Sequence, residues 1–216
     1  MKTFLFLGDS ITDSHRLWQP ENGGLGDGYV KMLSGIAAEK HLPAAFINKG
    51  HDGFTLPSLL RNLPLDCYPS SPDFITILIG INDIAVSRNC GVPFSTETFA
   101  AQYEKLLSEI LAHTDAGLLC MAPFIFPHPQ EYQLWIPDVI RAETAIAETT
   151  EKYRIPFLPL HNFFNTCAEK EGYEKITWDG VHLTALGHQL LADQWLKKYG
   201  LETPGSLPAE IKRRQH

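Results

Sequence analysis

Five short apolar runs, separated by longer stretches of helical periodicity, set the tightest constraint on what this chain can become. The runs cover residues 3–7, 44–48, 74–79, 117–121 and a shorter 156–158. Four of them are continuous rather than alternating, as expected of strands covered on both faces of a parallel sheet. The stretches between them, 28–40, 56–63, 95–113, 138–153 and 185–199, read as helices. In the third, Phe99, Tyr103, Leu106, Leu107 and Ile110 recur at helical spacing and form a core-facing stripe. Strands alternating with helices predict an α/β three-layer fold with right-handed crossovers. Such sheets bind ligands outside the carboxyl ends of their strands, so the residues that follow each run are the place to look for chemistry.

The chain's 216 residues suit one domain, 1–216, and no repeat or linker divides them. A net charge of −7 argues against non-specific binding to nucleic acid or to an anionic membrane, which needs clustered Lys and Arg. The basic cluster Lys212-Arg213-Arg214 reads as a solvated tail. No apolar run approaches the ~20 residues that cross a bilayer. The opening run is also shorter than the ~7–15 residues of a signal-peptide core, so it reads as a buried first strand. Cys67, Cys90, Cys120 and Cys167 show no CxxC spacing and are expected to be reduced thiols, which predicts a cytoplasmic protein.

Gly8-Asp9-Ser10-Ile11-Thr12-Asp13 follows the first run, Asn48-Lys49-Gly50-His51-Asp52-Gly53 the second, and Gly80-Ile81-Asn82-Asp83 the third. Trp178-Asp179-Gly180-Val181-His182 stands just before the last helix. Taken singly, each fragment has a bland reading as a helix cap or an Asx turn. Together they supply the parts for acyl transfer: a hydroxyl, an imidazole, a carboxylate to orient it, and donors for an oxyanion. The short spacing lets the Asp179 carboxylate bond Nδ1 of His182 and leave Nε2 as a base.

These blocks, in this order, resemble the SGNH (GDSL-type) hydrolases. Gly8-Asp9-Ser10 matches the first family block, the glycine of 48–53 the second, Gly80-Ile81-Asn82-Asp83 the third and Asp179-Gly180-Val181-His182 the last. Gly26-Asp27-Gly28-Tyr29-Val30, Trp178 and Gly187-His188 narrow the resemblance to bacterial acetylxylan and other carbohydrate acetyl esterases. It implies a flavodoxin-like, five-stranded parallel sheet with helices on both faces. It also implies Ser10 as nucleophile, His182 as base and then acid, and Asp179 as orienter of the imidazole. The oxyanion hole would be the N–H groups of Ser10 and Gly53 with the side-chain amide of Asn82. Two departures stand out. Leu183 replaces the proline that usually follows the histidine, which puts the rigidity of that loop in question, and residues 87–93 match no family pattern.

Asp9 and Asp83 are read as structural carboxylates and left outside the catalytic set. His51 is read as a loop histidine facing solvent and His188 as a packed or hydrogen-bonded residue of the last helix. Trp178 and Trp18 are candidates for the pocket wall, whereas Trp195 reads as core. No cofactor and no metal is expected, since no HExxH or Cys/His cluster is present. The expected partner is a small-molecule or oligosaccharide ester, with acetyl as the acyl group, and homo-oligomer formation stays open. The rival readings are a lysophospholipase or thioesterase for longer acyl chains, a non-catalytic carbohydrate-binding protein on the same scaffold, and a nucleotide-binding α/β protein. The last lacks both GxGxxG and GxxxxGK[ST].

Overall fold

The computed structural model describes residues 1–18 and 23–200, so the basic cluster at 212–214 lies outside the described residues. Strands β1 (Lys2–Gly8), β2 (Ala44–Gly50), β3 (Phe74–Leu78), β4 (Gly117–Met121) and β5 (Phe157–Leu158) form one sheet in the order β2-β1-β3-β4-β5. Every pair is parallel. This is the doubly wound flavodoxin-like order, whose ligand crevice opens between the first and third strands. In register, Gly8 lies opposite Gly50 on one side and Leu78 on the other. Three strands therefore end level, and the polar residues that follow them emerge side by side.

The continuous apolar runs are explained by two cores. Leu5, Leu7, Ile75, Ile77 and Cys120 face a layer made by α3 (Leu56–Asp66), α5 (Thr96–His113) and α6 (Ile136–Lys152). Phe4, Phe6, Phe74, Leu119 and Met121 face the opposite layer of α2 (Tyr29–Glu39), α7 (His161–Glu171) and α9 (Ala185–Tyr199). Trp195 is fully buried there, and its Nε1 donates to Thr76 Oγ1 at 2.9 Å, satisfying the one hydroxyl that β3 turns into this core.

The predicted helices are all present, and α3 runs past the predicted stop at residue 63 to Asp66. Its Leu56, Leu59 and Leu63 stay buried, which offsets the one backbone bond lost at Pro64. Four helices escaped the periodicity: α1 (Ser10–Asp13), α4 (Ile81–Asn89), α7 and α8 (Tyr173–Ile176). Of these, α4 buries only Ile81 and Ile84, and α7 only His161, Phe164 and Ala168, so neither carries a stripe wide enough to read. No helix among the described residues is long and apolar enough to cross a membrane.

Candidate functional site

The site begins where β1 turns into α1. A Cβ on Gly8 would meet Thr12 Oγ1 at 2.4 Å and the Leu78 carbonyl at 2.5 Å, so only glycine permits so abrupt a strand-to-helix turn. Asp9 is the N-cap, its Oδ1 accepting the Ile11 N–H at 3.0 Å. Burial pushes this carboxyl up to about 7, against which the Ile11 bond works. Asn48, at the end of β2, donates to the carbonyls of Thr12 at 2.6 Å and Leu25 at 2.9 Å and so fixes α1 from below. Asp9 and Asn48 thus hold the turn that presents Ser10 at the molecular surface.

The loop before α9 (Ala185–Tyr199) brings its histidine to that serine from 172 positions away. His182 Nε2 stands 3.0 Å from Ser10 Oγ, and His182 Nδ1 stands 2.7 Å from Asp179 Oδ2. The other carboxylate oxygen accepts the N–H groups of Val181 at 2.9 Å and His182 at 2.8 Å. Partial burial works to raise the Asp179 carboxyl. The bonds from the His182 ring and from these two amides outweigh it and hold the carboxyl below its ordinary 3.8. An ionised carboxylate on Nδ1 keeps the proton there and leaves the Nε2 lone pair facing the hydroxyl.

Leu183 does not leave this loop loose. Its backbone pairs with Thr177 in an antiparallel bridge, its side chain is buried, and its carbonyl accepts Trp178 Nε1 at 2.7 Å. Thr184 then caps α9 by accepting the Gly187 N–H. The rigidity that proline would supply comes here from hydrogen bonds.

The three expected oxyanion donors all lie in the segments that follow the level strand ends. Ser10 N–H, at the first position of α1, has no hydrogen-bond acceptor among the described residues, and neither has Gly53 N–H. Gly53 adopts a φ of 70°, in the left-handed region that a side chain disfavours. Asn82, in the first turn of α4, donates one Nδ2 hydrogen to the Phe54 carbonyl at 3.0 Å, which leaves the second for a ligand. Asp83 joins the same two loops: both its oxygens accept the Leu56 N–H at 3.1 Å, and burial raises its carboxyl to about 6 despite that bond. Asp9 and Asp83 each accept a backbone N–H and so tie the loops of the site, the kind of bond the sequence suggested for them.

Trp178 sits beside this site, 77% exposed as a residue although its indole nitrogen is tied down. Trp18, in the turn after α1, is equally exposed. The reading of His51 as solvent-facing is corrected. It is half-buried, stacks on Phe54 at 4.2 Å and bonds Asp66 at 2.7 Å, while Arg16 donates to its Nδ1 at 3.2 Å. Nothing local could have signalled this, because both partners are brought in by tertiary contacts.

His188 is buried and bonded, as expected, but its partner is a second serine. Its Nε2 lies 3.4 Å from Ser14 Oγ, its Nδ1 accepts the Tyr29 N–H at 3.3 Å, and Ser14 Oγ donates to Asp27 at 2.7 Å. Burial lowers His188 to about 4, and the Asp27 charge only partly opposes that. Among the described residues no group of three or more His, Cys, Asp or Glu could hold a metal ion.

Comparison with known proteins agrees with this architecture. The GDSL-like lipase/acylhydrolase family model matches residues 6–190. An acetylxylan esterase of Geobacillus stearothermophilus is 32% identical over 211 residues, covering 92% of this chain and 94% of its own length. The crystal structure of Axe2, an acetylxylan esterase of the same organism, superposes with a TM-score of 0.82 at 26% identity, over 93% of this chain and 95% of that one. LAE5, an α/β hydrolase from the metagenome of Lake Arreo, Spain, shares the fold at 20% identity, with a TM-score of 0.80 over 91% of this chain and 94% of its own.

Proposed function

This chain belongs to the GDSL-like lipase/acylhydrolase family, and from that premise we propose a serine esterase that removes acetyl groups from carbohydrates through an acyl-enzyme on Ser10. The observation that carries the reading is the unbroken hydrogen-bonded line from Ser10 Oγ through the His182 ring to Asp179. A serine hydroxyl is a weak nucleophile until a base takes its proton. His182 Nε2 accepts that proton as Ser10 Oγ attacks the ester carbonyl, and Asp179 stabilises the imidazolium that forms. The negative charge on the former carbonyl oxygen is received by the N–H groups of Ser10 and Gly53 and by the Asn82 amide. Collapse of the adduct expels the sugar alkoxide, which takes the proton back from His182. Water, activated by the same ring, then releases acetate and restores Ser10.

Two things support acetyl as the acyl group and sugar as the alcohol: the similarity to acetylxylan esterase, and the exposed ring of Trp178 next to Asp179. An aromatic face offers an apolar platform with a defined orientation beside a polar centre. Solved variants of Axe2 described as catalytic replace a serine, a histidine, or an aspartate three positions before that histidine. Asp179 and His182 stand at the same spacing here.

A second reading places the chemistry at Ser14 and His188, since they too form a serine–histidine contact. The experiment that separates the readings measures acetate released from acetylated xylo-oligosaccharides by the wild type, Ser10→Ala and Ser14→Ala, with p-nitrophenyl esters of increasing chain length in parallel. Loss of turnover in Ser10→Ala alone, with a rate maximum at C2, is expected. Turnover retained by Ser10→Ala would end the proposal, and a maximum at C8 or beyond would replace the sugar esterase with a lipid or thioester enzyme.

A further inference from the structure

Residues 87–93, which match no family pattern, build something of their own. Several of them line an open cleft of about 350 Å³ between the end of α4 and the first turns of α6. Ser87, Arg88, Pro93, Phe94, Asp138 and Arg141 are among its lining residues. That volume lies in the range of small-molecule sites.

The cavity's charge is organised. Asp138 is only 1% exposed; its Oδ1 accepts a hydrogen bond from Arg141, while its Oδ2 is ion-paired with Arg88 without a hydrogen bond. The arginine side chains are themselves 36% and 49% exposed. Each guanidinium carries five N–H donors and stays charged at any physiological pH. Each gives one nitrogen to Asp138, and among the described residues no other acceptor takes the rest. Two cations and one anion leave a net charge of +1 in the cavity wall. The buried carboxylate draws both guanidinium groups to one side of the cavity, which lowers the entropy cost of ordering them when a ligand arrives.

The position of this cavity ties it to the triad. Asn82 opens α4 and Arg88 stands six residues further along it, about 9 Å at helical rise. From the other side, Tyr132 packs against Gly180, the neighbour of Asp179, and against Trp135, which leads into α6. The segment that contacts Gly180 therefore leads directly into α6, whose first turns line the cavity through Asp138 and Arg141.

Resting on the esterase reading above, we propose that this cavity is a subsite for a carboxylate-bearing sugar, a uronate unit carried by the acetylated oligosaccharide. A monoanionic carboxylate matches the residual charge and the planar, bidentate geometry of a guanidinium. A phosphate dianion would bring excess charge against Asp138. Val92 and Pro93 on the rim present apolar surface to a sugar ring.

The test uses Arg141→Gln, which leaves Arg88 on Asp138, with Arg88→Gln as the second variant should the first fail to fold. D-glucuronate, D-glucose and inorganic phosphate are titrated against the wild type and the variant by NMR. kcat/KM is measured on acetylated xylo-oligosaccharides with and without a glucuronate branch, and on p-nitrophenyl acetate. The expected result is binding of glucuronate in preference to both other probes, weakened about tenfold or more in the variant. The preference for the branched substrate should fall by the same factor, and p-nitrophenyl acetate turnover should be unchanged. Equal affinity for glucuronate and glucose, phosphate binding as tight as glucuronate, or an unchanged substrate preference in Arg141→Gln would each overturn the subsite. Glucuronate binding that Arg141→Gln abolishes, in a protein that deacetylates no sugar, would uphold the cavity and strike the esterase reading instead.

Discussion

One helical turn of α1 separates two serine–histidine contacts that look alike in a list of distances and differ in the direction of their protons. Ser10 opens α1 and Ser14 closes it in the left-handed conformation. At the first contact, Asp179 takes the Nδ1 hydrogen of His182, so Nε2 offers a lone pair to the hydroxyl. At the second, Nδ1 of His188 is itself an acceptor, from the Tyr29 amide, so Nε2 carries the hydrogen. Ser14 meanwhile gives its own hydrogen to Asp27. The buried imidazole therefore donates to a serine that has already spent its proton, which is the reverse of general-base activation. Access differs in the same sense: His188 is 7% exposed, while the His182 side chain is about half exposed. A serine, a histidine and an aspartate make a nucleophile only when the third partner sits on the correct nitrogen. The buried set instead reads as a clasp joining α1, the start of α2 and α9.

The largest test of this contrast removes the two hydroxyls in turn. Ser10→Ala is expected to lower kcat by about 10⁴–10⁶ on an activated acetyl ester. Ser14→Ala should stay within about tenfold of wild type and lose ~1–2 kcal/mol of stability in urea titration. Comparable losses in both would erase the distinction between the two serines. Next come the carboxylates. Asp179→Asn should cost about 10⁴ in kcat by upsetting the tautomer, and Asp27→Asn less than about tenfold, both read from single-substrate kinetics. Third, the proposal gives the Ser10 site an oxyanion donor in the Asn82 amide and assigns none to Ser14. Asn82→Ala is accordingly expected to lower kcat by ~10²–10³ with a smaller change in KM, and full turnover in that variant would remove Asn82 from the site.

The smallest effect is thermodynamic and belongs to the buried pair alone. The fold lowers His188 from 6.5 to about 4, so the folded state favours the neutral ring. Its contribution to stability is complete above the unfolded value of 6.5. It is lost as pH falls towards about 4, because the unfolded chain takes up a proton there that the folded one refuses. The stability difference between wild type and His188→Gln should therefore shift by up to about 3 kcal/mol between pH 7 and pH 4. Taking the difference cancels the opposing slope from Asp9, whose raised carboxyl destabilises the fold as pH rises. A difference that stays flat with pH would mean that His188 is not held neutral.

Much of the candidate site was readable before any coordinates. Parallel strands bury both faces and so write themselves as continuous apolar runs, and the chemistry of such a sheet must follow the carboxyl ends of those runs. That logic reached the segments that hold Ser10, Gly53 and Asn82, the family resemblance singled out those residues and their roles, and the short Asp179-to-His182 spacing supplied the remaining pair. Less was visible where a residue's partner lies far along the chain. His51 was assigned to solvent because Asp66 and Arg16 are not its neighbours in sequence. The sequence of residues 87–93 gave no sign that Arg88 pairs with Asp138, because that carboxylate comes from another helix. Helices α4 and α7 were missed because each buries too few side chains to show a period.

By itself the sequence determined the strands, the layer architecture and the identity of the groups at the strand ends, since periodicity and residue chemistry are local properties. Only the tertiary structure decided which serine faces a lone pair and which faces an N–H. The tautomer of a histidine depends on what touches its other nitrogen, and that contact is made across distances in the chain that no local pattern records.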